Sequence, residues 1–273
     1  MLNEAEIAMV GREVKTRTGA VITREMAGAV EIKLTPLSRR EGFGTVHELI
    51  SAARIRPDGA LWNAVADHLA QSDTRFFRDR AIFENLRNDI LPTALLRRGH
   101  ERVRIWSAGC STGQEPYSIA MIVEDMRAEG KNPAIELVAT DASERLLDKA
   151  RSGLYTQFEV QRGLPIRKLI AHFEKAGDLW RISDRLRASV RFEAINLMKH
   201  PGALGQFDII MLAHVLPSFD LAMRAEVATR VIDALAPGGA LILGAGETLP
   251  EGCVDVTITN GIVTREKNAR AAA

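Results

Sequence analysis

Apolar residues recur at helical spacing through the first hundred positions, then fall into short runs that alternate with helical stretches. Ile7, Val10 and Val14 mark a first helix that breaks at Thr18-Gly19. Met26, Val30 and Leu34 mark a second that stops before Pro36. Val46, Leu49, Ile50 and Ala53 mark a third, with Thr45 and Glu48 spaced as a capping box. A fourth starts near Asp58 and carries Leu61, Trp62, Val65 and Leu69. Thr74 is placed to cap a further helix running through Leu86 and Ile90 to Pro92. A short helix from Thr93 ends in Arg97-Arg98, with Gly99 as its C-cap. Such stripes read as the core of a small helical domain.

From Val103 the pattern becomes strand, turn, helix, strand. Val103–Ser107, Ile135–Thr140, the run ending near Leu197 and Phe207–Leu212 read as strands. The last is a nearly continuous apolar run, as expected of a strand buried on both faces. Helices are expected over Glu115–Glu129, Ser143 to about Ser152, and Arg224–Leu235. Ala236-Pro-Gly-Gly239 then reads as a turn before a strand from Ala240 to Gly244. Residues 153 to 189 break the alternation. Leu164–Phe173 reads as a short helix after Gly163 and Pro165. Trp180–Ser183 and Ala188–Phe192 read as strands around a polar turn at Asp184–Arg187. An antiparallel piece inserted on a parallel sheet is the simplest account, and a partner-binding or lid element its expected use.

The chemistry centres on Trp106-Ser-Ala-Gly-Cys-Ser-Thr-Gly-Gln-Glu-Pro-Tyr117. A strand, a glycine turn and a helix with Pro116 in its first turn is how open α/β sheets build nucleotide pockets. Gly-x-Gly-x-x-Gly is missing, and so is the Gly-Lys-Ser/Thr of a phosphate loop. Glu115 would repel a phosphate at the helix N-terminus. These features point to a nucleoside without phosphates, of which S-adenosylmethionine is the common one, although strand–glycine–helix turns serve many ligands. Asp141, at the end of the second strand, is where a ribose-binding carboxylate belongs; the alternative is that it caps the next helix. Thr74 and Arg78 could bind a carboxylate, or Arg78 could pair with Asp73 or Asp79 on the surface. Cys110 is either a reactive thiol or a small residue tolerated in the turn.

The 273 residues allow one large or two modest domains. A net charge of +1 argues against broad binding to nucleic acid or an anionic membrane. No apolar run approaches the roughly 20 residues of a membrane helix, and Met1–Val10 is unlike a secretory signal. Cys110 and Cys253 lack Cys or His neighbours at metal-ligand spacing. A cytoplasmic setting is expected, with a frayed tail beyond Arg265.

In this order the motifs resemble those of the CheR family of chemotaxis receptor methyltransferases, over about residues 5 to 250. The matching stretches are Leu34-Thr-Pro-Leu-Ser-Arg-Arg40, Thr74-Arg-Phe-Phe-Arg-Asp79, Trp106 through Ala120, Ala139-Thr-Asp-Ala-Ser143, Gln161-Arg-Gly-Leu-Pro165, Asn196-Leu197, Phe207-Asp-Ile-Ile210 and Leu235-Ala-Pro-Gly-Gly239. The Glu-Pro-Tyr-Ser-Ile-Ala block is the most specific. The resemblance implies an N-terminal helical domain (1–95) and a class I, Rossmann-like methyltransferase domain (96–273) with a β-subdomain inserted at about 155–190. It implies methyl transfer from S-adenosylmethionine to receptor glutamates, with S-adenosylhomocysteine as product. Cofactor contacts carry over to Thr74, Arg78, Glu115, Asp141, Asn196 and Leu197. Arg98, then Arg97, is the implied arginine at the reaction centre. The cytoplasmic domains of chemoreceptors are the implied partners, and the subdomain is what some members use to grip a receptor's C-terminal tail. One stretch departs from the family. Where it usually has Cys-Arg-Asn-Val and then Ile-Tyr-Phe, this chain has Leu212-Ala-His-Val215 and Leu216-Pro-Ser-Phe219. His214 can hydrogen-bond the cofactor as Asn would, but Ala213 cannot replace an arginine and Ser218 stands for the tyrosine. The departure leaves two rivals: a cofactor- or partner-binding regulator that transfers no methyl, and a methyltransferase for another substrate.

Overall fold

The computed structural model describes residues 2–56, 59–70, 73–251, 256–259 and 262–265. The expected helix start at Asp58, Cys253 and the tail beyond Arg265 lie outside them. The chain forms two compact units. Residues 2–70 join Pro217–Met223 in the first, and the rest of the described chain forms the second.

The first unit is helical: α1 (Glu4–Thr18), α2 (Ala27–Arg40), α3 (Val46–Ile55) and α4 (Ala60–Leu69), with α4 packed against the other three. Asn3 and Glu6 form a capping box at the start of α1, and Gly19 ends it at φ 74°. Val10, Val14, Leu34, Leu37, Leu49 and Val65 are buried in one core. Thr45 Oγ1 accepts from Glu48 N–H, while the Glu48 carboxylate reaches Gly44 N–H at 2.9 Å, one residue short of a reciprocal box. The second helix does not stop at Pro36. Leu37 and Ser38 beyond it are buried, which holds the last turn in place, and Ile32 at the unpaired position four residues back is exposed. Pro217–Met223 belongs here because Ser218 O accepts Val21 N–H, Phe219 bridges Ala20 and Asp220 pairs with Lys15 at 2.6 Å.

The second unit opens with α5 (Arg80–Asn85), a wide π-turn at Leu86–Ile90 and α6 (Leu91–Arg98), one continuous helical path. The π-turn ends two residues before Pro92, which takes a donor out of the ladder. Phe76, Phe83, Leu86 and Leu91 are buried in the same core as Val103, Ile105, Tyr117 and Ile119. The division therefore falls before residue 73, not at 95: these helices cover a sheet. A seven-stranded sheet follows in the order β6-β2-β1-β7-β8-β10-β9. Its strands are β1 (Val103–Ala108), β2 (Ile135–Asp141), β6 (Val190–Ala194), β7 (Phe207–Leu212), β8 (Leu235–Leu243), β9 (Val256–Thr259) and β10 (Ile262–Arg265). The first five in that order are parallel; β10 runs against β8 and pairs with β9 as a hairpin. Helices α7 (Gln114–Ala128), α8 (Glu144–Ser152) and α12 (Leu221–Asp233) link the strands. Every residue of β7 is buried, as its apolar run predicts. Ala236–Gly239 is not a separate turn: Phe207 pairs with Leu235 but Ile209 with Ala240, so these residues bulge inside β8.

Between α8 and β6 sits a three-stranded antiparallel sheet, β3 (Leu154–Thr156), β5 (Leu179–Ile182) and β4 (Phe173–Ala176), ordered β3-β5-β4. Helices α9 (Gln157–Gln161) and α10 (Ile166–His172) precede β4, and α11 (Asp184–Ala188) follows β5. Asp184–Arg187 is thus helical, not a hairpin turn, and Val190–Ala194 pairs with β2 in the large sheet, not in the insert. The reason is burial: Leu186 packs in the main core, where Asp184–Ala188 can reach it only as a helical turn.

Gly163 fixes the entry to α10. Its φ is +85°, and a Cβ there would lie 2.1 Å from the Phe76 carbonyl oxygen. Gly163→Ala should cost about 2 kcal/mol or more. Gly177, at φ +62° with open space around it, should cost only about 1 kcal/mol as Ala. Urea midpoints of the two variants check the contrast.

Candidate functional site

The large sheet reverses its winding between β1 and β7, and in such sheets ligands bind at that switch, outside the carboxyl ends of the strands. The glycine turn Gly109–Gly113 leaves β1 at this point. Gly109 lies against Val215 and Gly113 against Ala150, both so closely that a Cβ would collide. The N–H groups of Gly109 and Cys110 donate to Thr140 O. Tyr155 Oη donates to Thr112 O at 2.8 Å, and Tyr117 Oη to Ala150 O at 2.8 Å.

Asp141 ends β2 beside this turn. Oδ2 accepts Ser111 N–H and Oδ1 accepts Ser143 N–H, each at 2.9 Å. The cap of α8 is Ser143 itself, whose Oγ accepts Leu146 N–H. Asp141 therefore ties the end of β2 to the glycine turn. Glu115, in the first turn of α7, accepts from Ser107 Oγ at 2.7 Å. Burial pushes its carboxyl up to about 7, helped by the neighbouring Glu247 and Asp79 and opposed by the Ser107 bond and Arg78. Cys110 is buried; desolvation first, then Asp141 and Glu115, hold its thiol well above the ordinary range. That suits a packed residue and not a nucleophile.

The Thr74–Asp79 motif lies alongside. Phe76 is buried, edge-on to Tyr155 and Phe173 with ring centroids 5.1 and 5.6 Å away. Phe77 N–H donates to Ser118 Oγ on α7 at 2.9 Å. Arg78 donates to Asp73 O at 2.6 Å, and its charge is felt at Glu115 and Asp79. Thr74 does not cap a helix: α5 begins at Arg80, after Asp79 in a left-handed conformation. Asp79 Oδ2 accepts Ala245 N–H at 2.9 Å and meets His214 Nε2 at 2.5 Å. Burial opposes its ionisation, but these two bonds hold its carboxyl below the usual range. Glu247 Oε2 accepts His214 N–H at 2.8 Å and Gly244 N–H at 2.7 Å. Asn196 Oδ1 accepts Met198 N–H, and Leu197 is buried just beyond β6.

A family model described as the CheR methyltransferase SAM-binding domain matches residues 72–261. The chain belongs to the CheR methyltransferase family. Among its relatives, chemotaxis protein methyltransferase Cher2 of Pseudomonas putida is 32% identical over 245 residues, covering 87% of this chain and 89% of that one. Chemotaxis protein methyltransferase 1 of Pseudomonas aeruginosa is 32% identical over 256 residues, covering 91% and 93%. The fold is accordingly that of a class I methyltransferase carrying an antiparallel subdomain.

The cofactor of this CheR protein is S-adenosylmethionine, and the residues fit it. Its sulfonium and ammonium are cations, and Asp79, Glu115, Asp141 and Glu247 make this end of the sheet acidic. Two buried acceptor atoms there, Ser111 Oγ and Glu247 Oε1, have no hydrogen-bond partner among the described residues. Buried polar atoms are costly unless paired, so a bound donor would satisfy them.

Arg98 is the exception among the expected site residues. It ends α6, ahead of β1, and donates from Nε to Asp208 Oδ1 at 2.8 Å. Arg97 shares that oxygen at 2.7 Å, and Arg104 N–H takes Oδ2 at 3.0 Å. Asp208 is 1% exposed and sits at the start of β7. Arg97 and Arg98 thus neutralise a buried carboxylate at the amino ends of the strands, away from the glycine turn. Arg78 lies on the carboxyl-end side, where its charge acts on Glu115 and Asp79. Glu247 and Asp79, which the motif reading did not assign, join that side through backbone N–H groups, a signal that spacing along the chain does not carry.

Because folded Glu115 holds its proton more tightly than the ordinary 4.5, its contribution to stability is full below that value and is lost as pH rises through about 7. In the cofactor-free protein, Glu115→Gln should gain on wild type by up to about 3 kcal/mol between about pH 5 and pH 8. Urea unfolding at the two pH values measures this; a constant difference would contradict it.

Proposed function

We propose that this protein methylates glutamate side chains of chemoreceptor cytoplasmic domains, in the cytoplasm, using S-adenosylmethionine. The observation that carries the reading is the family match over residues 72–261, in which Thr74–Asp79, the glycine turn, Glu115 and Asp141 gather at the carboxyl ends of β1 and β2. Relatives named as chemotaxis protein methyltransferases across nearly the whole chain support the substrate class.

The cofactor, when bound, supplies an activated methyl group on sulfur. The chain's part is to bind and align. Asp141 would hold the ribose, Asn196 and Leu197 would line the adenine, and Glu115, Arg78 and Thr74 would hold the amino-acid end. A glutamate of pKa about 4.3 is already ionised near neutral pH, so no general base is required. Alignment of the acceptor oxygen and loss of its water supply the rate, an effect worth roughly 7 kcal/mol or more when geometry is right. The β3-β5-β4 sheet, with Phe158, Ile166 and Ile170 exposed on its helices, is the surface we assign to a receptor's C-terminal tail, added as a further strand.

A second reading, a regulator that binds cofactor without transferring methyl, is favoured by Ala213-His214, the two residues directly after β7, neither of which is an arginine. Methyl-labelled cofactor, a chemoreceptor cytoplasmic fragment and the protein separate the two. Glutamate methylation gives label on the fragment that mild alkali releases, lost in Arg78→Ala and retained in Arg98→Ala. Tight S-adenosylhomocysteine binding with no label on any receptor would establish the regulator instead. For the cofactor pocket itself, Asp141→Ala should weaken S-adenosylhomocysteine binding at least about tenfold by calorimetry, the loss expected for a charged hydrogen-bond partner.

A further inference from the structure

Among the described residues, four that are not glycine have positive φ: Phe77 at 49°, Asp79 at 59°, Ser111 at 50° and His214 at 60°. All four lie in the segments that form the site. Such backbone costs of order 1–3 kcal/mol per residue and persists only where the surroundings over-determine it. For Ser111, Asp141 supplies the restraint. For Phe77 it is the buried Phe76 ring next door and the Ser118 hydroxyl. For Asp79 and His214 the restraint is mutual. Their side chains meet at 2.5 Å, Ala245 N–H holds the same Asp79 oxygen, and Glu247 holds the His214 backbone. Ionised Asp79 can only accept, so His214 Nε2 donates.

Arg78 lies between these anchors. Phe77 fixes its backbone from one side and Asp79 from the other. We propose that His214 is a positioning residue: through Asp79 it locks the turn that presents Arg78 to the cofactor, and it does not bind the cofactor itself. The expectation that His214 contacts the cofactor, as an asparagine would, is replaced by this indirect role, because Nε2 is already committed to Asp79. An asparagine amide ends nearer its own Cα than a histidine Nε2 does, so we ascribe the latch to the histidine. The inference rests on the cofactor reading above, and specifically on Arg78 as a cofactor ligand.

The test is calorimetric titration of S-adenosylhomocysteine into wild type, His214→Asn, Arg78→Ala and the double variant. Asn tolerates the left-handed backbone, so His214→Asn removes the latch without straining the chain. Its affinity should fall about tenfold, the size of a hydrogen bond to a charged group, while Arg78→Ala and the double variant should bind alike. Additive losses would overturn the proposal, since His214 would then act independently of Arg78. Unchanged affinity in His214→Asn would overturn it too. Asp79→Gly keeps the left-handed turn and approaches the latch from its other end; in that background His214→Asn should have no further effect, and a further loss would count against the latch. A folded wild type that does not bind S-adenosylhomocysteine would overturn the cofactor reading itself, and this inference with it.

Discussion

One buried ring holds the site together. Tyr155 begins the inserted sheet, yet its hydroxyl donates to Thr112 in the glycine turn, and its ring packs edge-on against Phe76 and Phe173. Burial drives its pKa well above the ordinary value, so the hydroxyl remains a donor. A buried aromatic hydroxyl needs a partner, and here the partner is the Thr112 carbonyl of the glycine turn. Three stretches far apart in sequence, the Thr74–Asp79 motif, the glycine turn and the insert, thereby acquire one common support. Gly163, pressed against the Phe76 backbone, closes the same assembly from the far side.

The two ends of the parallel strands use charge in opposite ways. At the amino ends, a single buried carboxylate, Asp208, is saturated by Arg97, Arg98 and the Arg104 backbone. That arrangement fastens α6 and the β8 bulge to the sheet, with Arg97 also bonded to Gly238 O. At the carboxyl ends, burial raises Glu115, with Glu247 and Asp79 adding to it, and a buried Glu247 oxygen has no hydrogen-bond partner among the described residues. Structural pairs neutralise themselves. Binding sites carry the imbalance their ligand corrects.

Most of the architecture was legible from local pattern. The glycine turn, the acid ending β2 and the apolar run of β7 are short-range features, and each occupies its expected place. What escaped depends on tertiary context. Arg98 was assigned by its position in a motif order, but which end of a strand a residue meets is set by topology, and α6 feeds the amino end of β1. Pro36 sits inside a helix because Leu37 and Ser38 are buried beyond it, a fact about packing that outweighs the proline rule. Leu186 likewise turns an expected hairpin into a helix. The Asp79–His214 bond joins residues 135 apart, and no spacing within either motif announces it.

Pro217–Met223 returns from the methyltransferase part of the chain to complete the helical unit, bonding Val21, Ala20 and Lys15. The helical unit is therefore not a cassette. A recombination event that exchanged the first seventy residues alone would carry away Lys15 and Val21 and leave Asp220 and Ser218 behind. Lys15 with Asp220, and Val21 with Ser218, therefore constrain one another across all the motifs that lie between them in the chain.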